Sequence, residues 1–528
     1  MTNFIRLVRI IQNENGQNLT PTCIAAPGYH ELNSAPVVFG LIAQTVAKKG
    51  CPDVVTDLVR FTRNPKKLMQ WHLFDDQDTV KISPTVVLAI FLAYIRHNAQ
   101  RTLQQSSIKK ALIAIPSSLT DVQRQTYVDA AKIAGFTQVR LHSKVALGML
   151  NYLASSPNVE EIYQNDGYCF IFRFGGGFLE AAIAKVRRGG IDFIANVGSH
   201  HFGGCDITDK FLEACLVKIE NESSVEGLRE DHAFLADLRK ECDKKKVTLS
   251  ATNVVTFPID ISDGPSFKIE FHRQELEELI VEVDKMIPEM FDWLFDTVKQ
   301  KFHIESSQVG HVYMMGGSCR IPRVQKIIND YFKNRAYVHI SSVDDHFIVK
   351  GAAIAAAFLS NEQTESINKT ELNEVTGFSI GKGPGEDGNK PIIDCTDKIP
   401  LLKDVGEIAL DSHLKYDQTC SFGDYEVNEE VGFAQSQSKK PTNVALSLRI
   451  GNNGTFQPIS TPEIKWRKRH AYSKAKVEQS QDLIIRLQAE TERRRSIVDS
   501  KNSLRNFVRQ VSRQEQEEPH LLGEDFIA

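Results

Sequence analysis

"IFRFGGGFLEAAI", residues 171–183, sets three consecutive glycines between two short apolar runs. A glycine turn has no Cβ in the way, so its backbone N–H groups can close on a phosphate oxygen. The chain after the turn reads as a second strand and not as a helix, which excludes a dinucleotide-binding fingerprint. Two readings remain, a plain hairpin turn or a phosphate turn. Arg173 and Phe178 flank it, and neither residue type is what phosphate and magnesium chemistry asks for.

Downstream, "IDFIANVGSHHFGGCDITDKFLEACLVKI" predicts another strand, a Gly203-Gly204 turn and a helix whose Ile207, Phe211, Leu212, Cys215, Leu216 and Ile219 share one face. Helices are expected around 229–248 and 273–302, with a strand pair near 252–271 between them. "GHVYMMGGSCRIPRVQKIINDYF" then reads as strand, Gly316-Gly317, helix, where helix-terminal N–H groups would add to an anion site. Upstream, Ser83 and Pro84 open a buried helix. "ALIAIPSSLTDVQRQTYVDAAKIAGF" is a strand, a turn at Pro116 and a helix with a Thr120/Gln123 capping box that stops at Gly135. Residues 5–26 alternate around Asn15-Gly16 and predict a β-hairpin. Strand and helix thus alternate twice over, as in two α/β lobes. Residues 361–374 form a polar linker, 375–470 a small all-β unit, 471–515 a charged amphipathic helix and 516–528 a flexible tail.

With 528 residues the chain is too long for one core. A net charge of −4 gives no global attraction for nucleic acid or an acidic membrane, and no run is long and apolar enough to span one. Nine scattered cysteines, without a C-x-x-C pair, fit reduced thiols in the cytosol or nucleus. His200-His201 with Cys205 and Asp206 resembles a metal cluster, but adjacent strand histidines point to opposite faces, so no metal is expected there. The basic run "KWRKRHAYSKAK" and "ERRR" at 492–495 read as solvated surface.

Six blocks, "ALIAIPSSLTDVQRQTYVDAAKIAGF", "RFGGGFLEAAI", "HHFGGCDITDKF", "LRKECDKKKVTLS", "MMGGSCRIPRVQKIINDYF" and "VKGAAIAAAFLS", occur in the order of the signature blocks of the seventy-kilodalton heat-shock chaperones, the DnaK-like family. The chain resembles that family strongly over 82–360 and patchily beyond, through "EVTGFSIG", "IIDCTDKIPLLK" and the lid-like "SKNSLRNFVRQV". The resemblance implies an actin-like ATPase fold over 1–360, with two α/β lobes clamping Mg-ATP. It further implies a β-sandwich that holds extended apolar peptides, and a helical lid. In the family, ATP hydrolysis switches peptide affinity through the interdomain linker.

Matched position by position, the resemblance implies that Gly175, Gly176, Gly177, Gly203, Gly204, Gly316 and Gly317 form the nucleotide turns. Ser318 and Arg320 match the adenosine loop, while Asp243, Lys246, Ser250 and Asp345 match positions near base and ribose. Val247 replaces an arginine that stacks on adenine. The family's first phosphate loop lies before the opening hairpin, and the chain is expected to lack it. The γ-phosphate lysine falls on Gln44, a glutamate that organises metal-bound water on Ser143, and a carboxylate and hydroxyl on Arg173 and Phe178, with Glu180 for a final aspartate.

Without hard oxygen ligands and γ-phosphate charge, little or no hydrolysis is expected. ATP or ADP would bind weakly or not at all, and magnesium is doubtful. Arg173 either contacts phosphate in place of the metal or pairs with an acidic neighbour. "KTELNEV" offers only Leu372 and Val375 for linker docking, so coupling is expected to be weak. The chain reads as a chaperone-related binder of unfolded peptides, J-domain proteins or nucleotide-exchange factors. "GEDFIA" does not match the family ending that recruits tetratricopeptide partners. The rival reading is a working ATP-dependent folding chaperone represented by an N-terminally shortened chain. A third is a poorly folded chain, whose sheet would show an exposed edge.

Overall fold

The computed structural model describes the chain apart from residues 1–7, 28–34, 63, 65–66, 75–78, 157–158, 165–166, 200, 223–226, 261–265, 334–336, 341–345, 361–370, 383–390, 410–412, 423–424, 437–442, 459–463, 469–470 and 518–528.

A first α/β unit is built around the parallel strands Lys110–Ile115 and Gln138–Ser143, joined by the helix Asp121–Ile133. That helix starts at the expected capping box, with Thr120 and Gln123 each bonding the other's backbone N–H. The helix Pro84–Leu103 packs beside it, opened by the Ser83 hydroxyl, which accepts from Val86 N–H. Three two-residue strands, Ile24–Ala25, Val38–Phe39 and Val54–Val55, form a small separate antiparallel sheet.

The hairpin expected over residues 5–26 is not formed among the described residues. Asn13 Oδ1 accepts from the N–H groups of Asn15 and Gln17, closing a local turn that leaves no strand ladder around Gly16. The strand of this region, Ile24–Ala25, pairs with strands further along the chain instead.

A second α/β unit holds a six-stranded sheet in the order Tyr337–Ile340, His311–Met315, Tyr168–Phe174, Leu179–Arg187, Gly190–Ser199 and Glu371–Asn373. Phe170, Phe172 and Phe174 meet Phe291 and Phe295 of the helix Val283–Phe302 in one buried cluster. Burial of this much aromatic surface is what holds the sheet to its helices.

Residues beyond 375 form a five-stranded and a three-stranded sheet, and then the helix Lys474–Glu517. That helix does not stand apart. Its Ile484 and Leu487 are buried in the core of the first α/β unit. The stretch read as a polar linker also ends in structure, because Glu371–Asn373 adds a parallel strand to Gly190–Asp192 at the edge of the large sheet.

Candidate functional site

Three glycine turns meet where the two α/β units face each other. Gly204 N–H donates to Gly175 O at 2.9 Å and Cys205 N–H to Gly176 O at 2.7 Å, fastening the start of the helix Gly204–Glu222 onto the 175–177 turn. The approach is too close for a side chain. A Cβ on Gly203 would lie 2.4 Å from Gly176 O, and one on Gly316, whose φ is +96°, would lie 2.4 Å from Phe174 O.

On one side of the turns stands a polar cluster assembled from three elements. Lys246 Nζ, on the helix His232–Leu249, donates to Gly204 O at 2.8 Å, Thr208 Oγ1 at 2.6 Å and Asp243 Oδ1 at 2.8 Å. Thr208 Oγ1 also donates to Asp243 Oδ1 at 2.9 Å. Burial opposes ionisation of Asp243, but Lys246 outweighs it and holds the carboxyl below its ordinary range. Ser318 packs against Gly204, and Gly317 beside it faces open space. Ser250 lies one turn past Lys246, and Arg320 ends the short helical turn Gly317–Arg320. Asp345 lies outside the described residues.

The other side is a different chemical environment. Arg173 and Glu180 are direct cross-strand partners on the hairpin that carries the glycines. Arg173 Nη1 donates to Glu180 Oε2 at 2.6 Å, and Ser117 of the first unit donates its N–H at 2.5 Å and its hydroxyl at 2.8 Å to Glu180 Oε1. Glu180 is fully buried, so this charge is tolerated only because these donors surround it. The second guanidinium nitrogen of Arg173 lies against Gly175, 2.6 Å from where a Cβ would be. Phe178 is buried in the hydrophobic core of the first unit and joins the two units by apolar contact.

Cations add to this end. Lys144 is half-buried, and desolvation first, then nearby Arg173, pushes its pKa down to about 8. Arg60 crosses from the first unit to donate to Asp206 at 2.6 Å and Asp209 at 2.9 Å on the helix Gly204–Glu222. Asp206 is engaged by Arg60, and His200, its neighbour in that metal-like motif, lies outside the described residues. No group of three or more His, Cys, Asp or Glu is disposed to hold a metal among the described residues. A magnesium ion bound through hard oxygen donors is poorly matched to a place set with Arg173 and Lys144, whereas the cluster around Lys246, Asp243 and Ser318 suits the polar edge of a nucleoside.

Gln44 is exposed on the helix Gly40–Lys48. Ser143 caps the helix Lys144–Ser155, and its N–H donates to Glu374 Oε1 at 2.9 Å while its hydroxyl donates to the same oxygen. His142 Nδ1 lies 2.9 Å from Glu374 Oε2. Four residues that the motifs did not single out for a role, Arg60, Lys144, Ser117 and Glu374, thus help build the site. None carries a glycine or repeat signature, and Glu374 acts across 231 residues of sequence. Burial opposes ionisation of Glu374, but His142 and Ser143 hold its carboxyl below its ordinary range.

A family model described as Hsp70 protein matches residues 5–525. A heat shock protein of Pyricularia oryzae is 26% identical over 420 residues, covering 75% of this chain and 65% of that protein. The Heat shock 70 kDa protein of Neurospora crassa is 26% identical over 390 residues, covering 70% and 58%. A ribosome-associated molecular chaperone of Saccharomyces cerevisiae is 26% identical over 419 residues, covering 75% and 65%. The chain spans just under two thirds of the length of these curated relatives. With the family model matched over nearly the whole chain, the chain belongs to the Hsp70 family of chaperones.

Proposed function

We propose that the chain acts as a chaperone-type binder of extended apolar peptide segments and co-chaperones that hydrolyses ATP slowly or not at all. The carrying observation is the Arg173–Glu180–Ser117 network, which sets a neutralised guanidinium against the phosphate-type turn. Phosphoryl transfer depends on metal and cations placed on the transferring group, and loss of one such contact typically costs about 100-fold or more in rate. Ser143, where the resemblance puts a water-organising glutamate, is committed to Glu374. Of the two roles open to Arg173, pairing with an acidic neighbour is the one its contacts support.

The Lys246–Asp243–Ser318 side supports retention of adenine nucleotide as a ligand, held more by base and ribose than by phosphate. The Saccharomyces relative's name places that chaperone at the ribosome. A cytosolic setting with unfolded chains as clients is the matching proposal here.

The test is a turnover assay with radiolabelled ATP beside fluorescence anisotropy of a labelled apolar peptide. Peptide binding without added nucleotide, with turnover at background, is the expected result. Turnover that rises on adding peptide or a J-domain protein would establish the rival, ATP-driven reading.

A further inference from the structure

Away from the nucleotide turns, the first α/β unit and the C-terminal helix Lys474–Glu517 enclose a cavity of about 540 Å³. Close-packed interiors hold few voids larger than a water molecule, whereas small-molecule sites run from about 300 to 1,000 Å³. Its walls are apolar. Ile90 and Ala93 come from the helix Pro84–Leu103, Ile484 and Leu487 from the C-terminal helix. Phe39 stacks on Tyr94 with 4.2 Å between ring centroids and 11° between planes, which gives a flat aromatic surface.

The mouth is polar. Arg101 reaches it from one helix and Arg495 from the other, and among the described residues neither guanidinium has a carboxylate partner. Two carboxylates share the rim. Glu14 accepts the Tyr94 hydroxyl at 3.4 Å, and Glu492 lies one turn before Arg495 on the same helix.

We propose that this cavity binds an amphipathic monocarboxylate, with its apolar body against Phe39 and Tyr94 and its carboxylate between Arg101 and Arg495. Guanidinium groups supplied from facing walls recognise a carboxylate through charge-assisted hydrogen bonds, while a neutral apolar ligand would leave both cations unanswered. Such a ligand touches both the α/β unit and the C-terminal helix, so its binding holds the two together.

Isothermal titration of the full chain with decanoate, and with decanol as the uncharged comparator, tests this. One decanoate per chain is expected, bound about tenfold or more tighter than decanol. Arg495→Gln removes that preference and leaves decanol binding unchanged, and Glu492→Gln strengthens decanoate. Ala93→Phe fills the cavity and blocks both ligands. Ile42→Trp does the same from the exposed rim, with a circular-dichroism melt reporting that each variant is folded. Absence of decanoate binding, equal binding of acid and alcohol, or binding that survives both filled-cavity variants in folded protein would overturn the proposal.

Discussion

Arg173 is held by Glu180 on one side and crowded by Gly175 on the other, and Glu180 has no exposure to water. Glu180→Gln leaves the guanidinium without its counter-charge, and we expect a loss of about 3–5 kcal/mol in urea unfolding. The double variant Arg173→Met/Glu180→Met should recover most of that, since a well-packed apolar pair often replaces a buried ion pair at no cost. Lys144 carries the opposite sign of effect. Its depressed pKa means that charging it opposes folding, fully below about pH 8 and progressively less up to its ordinary value of 10.5. Lys144→Met is therefore expected to stabilise the protein by on the order of 1–3 kcal/mol at neutral pH, with the gain shrinking toward pH 10 in the same unfolding assay. A buried histidine pair adds a third pH-dependent contribution. His311 Nδ1 and His339 Nε2 share a hydrogen bond of 3.0 Å, His339 stacks on Tyr313, and Tyr152 lies beside them. Burial holds both imidazoles below their usual value, helped at His339 by His311 and opposed at each by Glu161. The folded state therefore binds fewer protons than the unfolded one, and stability should fall as pH drops below about 6.5. His311→Phe should flatten that slope in thermal melts taken from pH 7.5 to 5. Among these groups the sequence makes one pairing readable, because Arg173 and Glu180 flank a short hairpin turn and face each other across it. The neighbourhood of Lys144 is not readable, being assembled from distant strands.

Elements with local start and stop signals were legible and elements stabilised from afar were not. The Ser83 cap, the Thr120–Gln123 box and Gly135, at φ +89°, lie where sequence reasoning puts them because each satisfies orphan backbone groups within a turn of chain. The Asn15-Gly16 stretch deceived because the Asn13 side chain competes for the amides a hairpin would need. The linker strand deceived in the other direction. Leu372 and Val375 are few for docking, yet Glu371–Asn373 pairs with Gly190–Asp192, Leu372 packs against the neighbouring hydrophobic core, Val375 is buried, and polar contacts add to these. Arg187 Nη2 donates to Glu371 at 2.5 Å, Asn373 Nδ2 donates to Asp192 at 2.7 Å, and Glu374 is buried on His142 and Ser143. Replacing Glu374 by Gln removes the charge that His142 and the Ser143 donors surround, at an expected cost of about 2–4 kcal/mol to docking. Hydrogen–deuterium exchange should show amides 371–375 and 190–192 exchanging faster in that variant, with those of 168–174 unchanged. Equal protection in both proteins would mean that the backbone pairing alone suffices.

At the scale of the whole molecule, the β-domain and the C-terminal helix are fastened to the first α/β unit by protein groups on both sides. Phe456 N–H donates to Asp121 Oδ1 at 2.5 Å, Asn453 bonds Leu141 N–H at 3.2 Å and Val139 O at 3.2 Å, and Tyr472 N–H donates to Asp129 Oδ2 at 2.9 Å. Beyond Tyr472 the attachment becomes apolar, as Ile484 and Leu487 enter a core that includes Phe91, Tyr127 and Phe178. A helix attached in this way is part of the unit it covers, so its loss should be felt in the melting of residues far from it. Leu487→Ala deletes buried methyl groups from that core, and the cost should be about 2–5 kcal/mol because the surrounding helices cannot close the gap fully. A merely tethered lid would respond differently, fraying locally while the main transition stayed in place. Differential scanning calorimetry separates the two cases: a single transition shifted downward in Leu487→Ala means that the helix folds with the first unit, whereas an unmoved main transition with a small early one means that it folds alone. The first outcome is expected, since Phe178 ties the same core to the glycine hairpin and so links the glycine turns, the first unit and the helix in one apolar core.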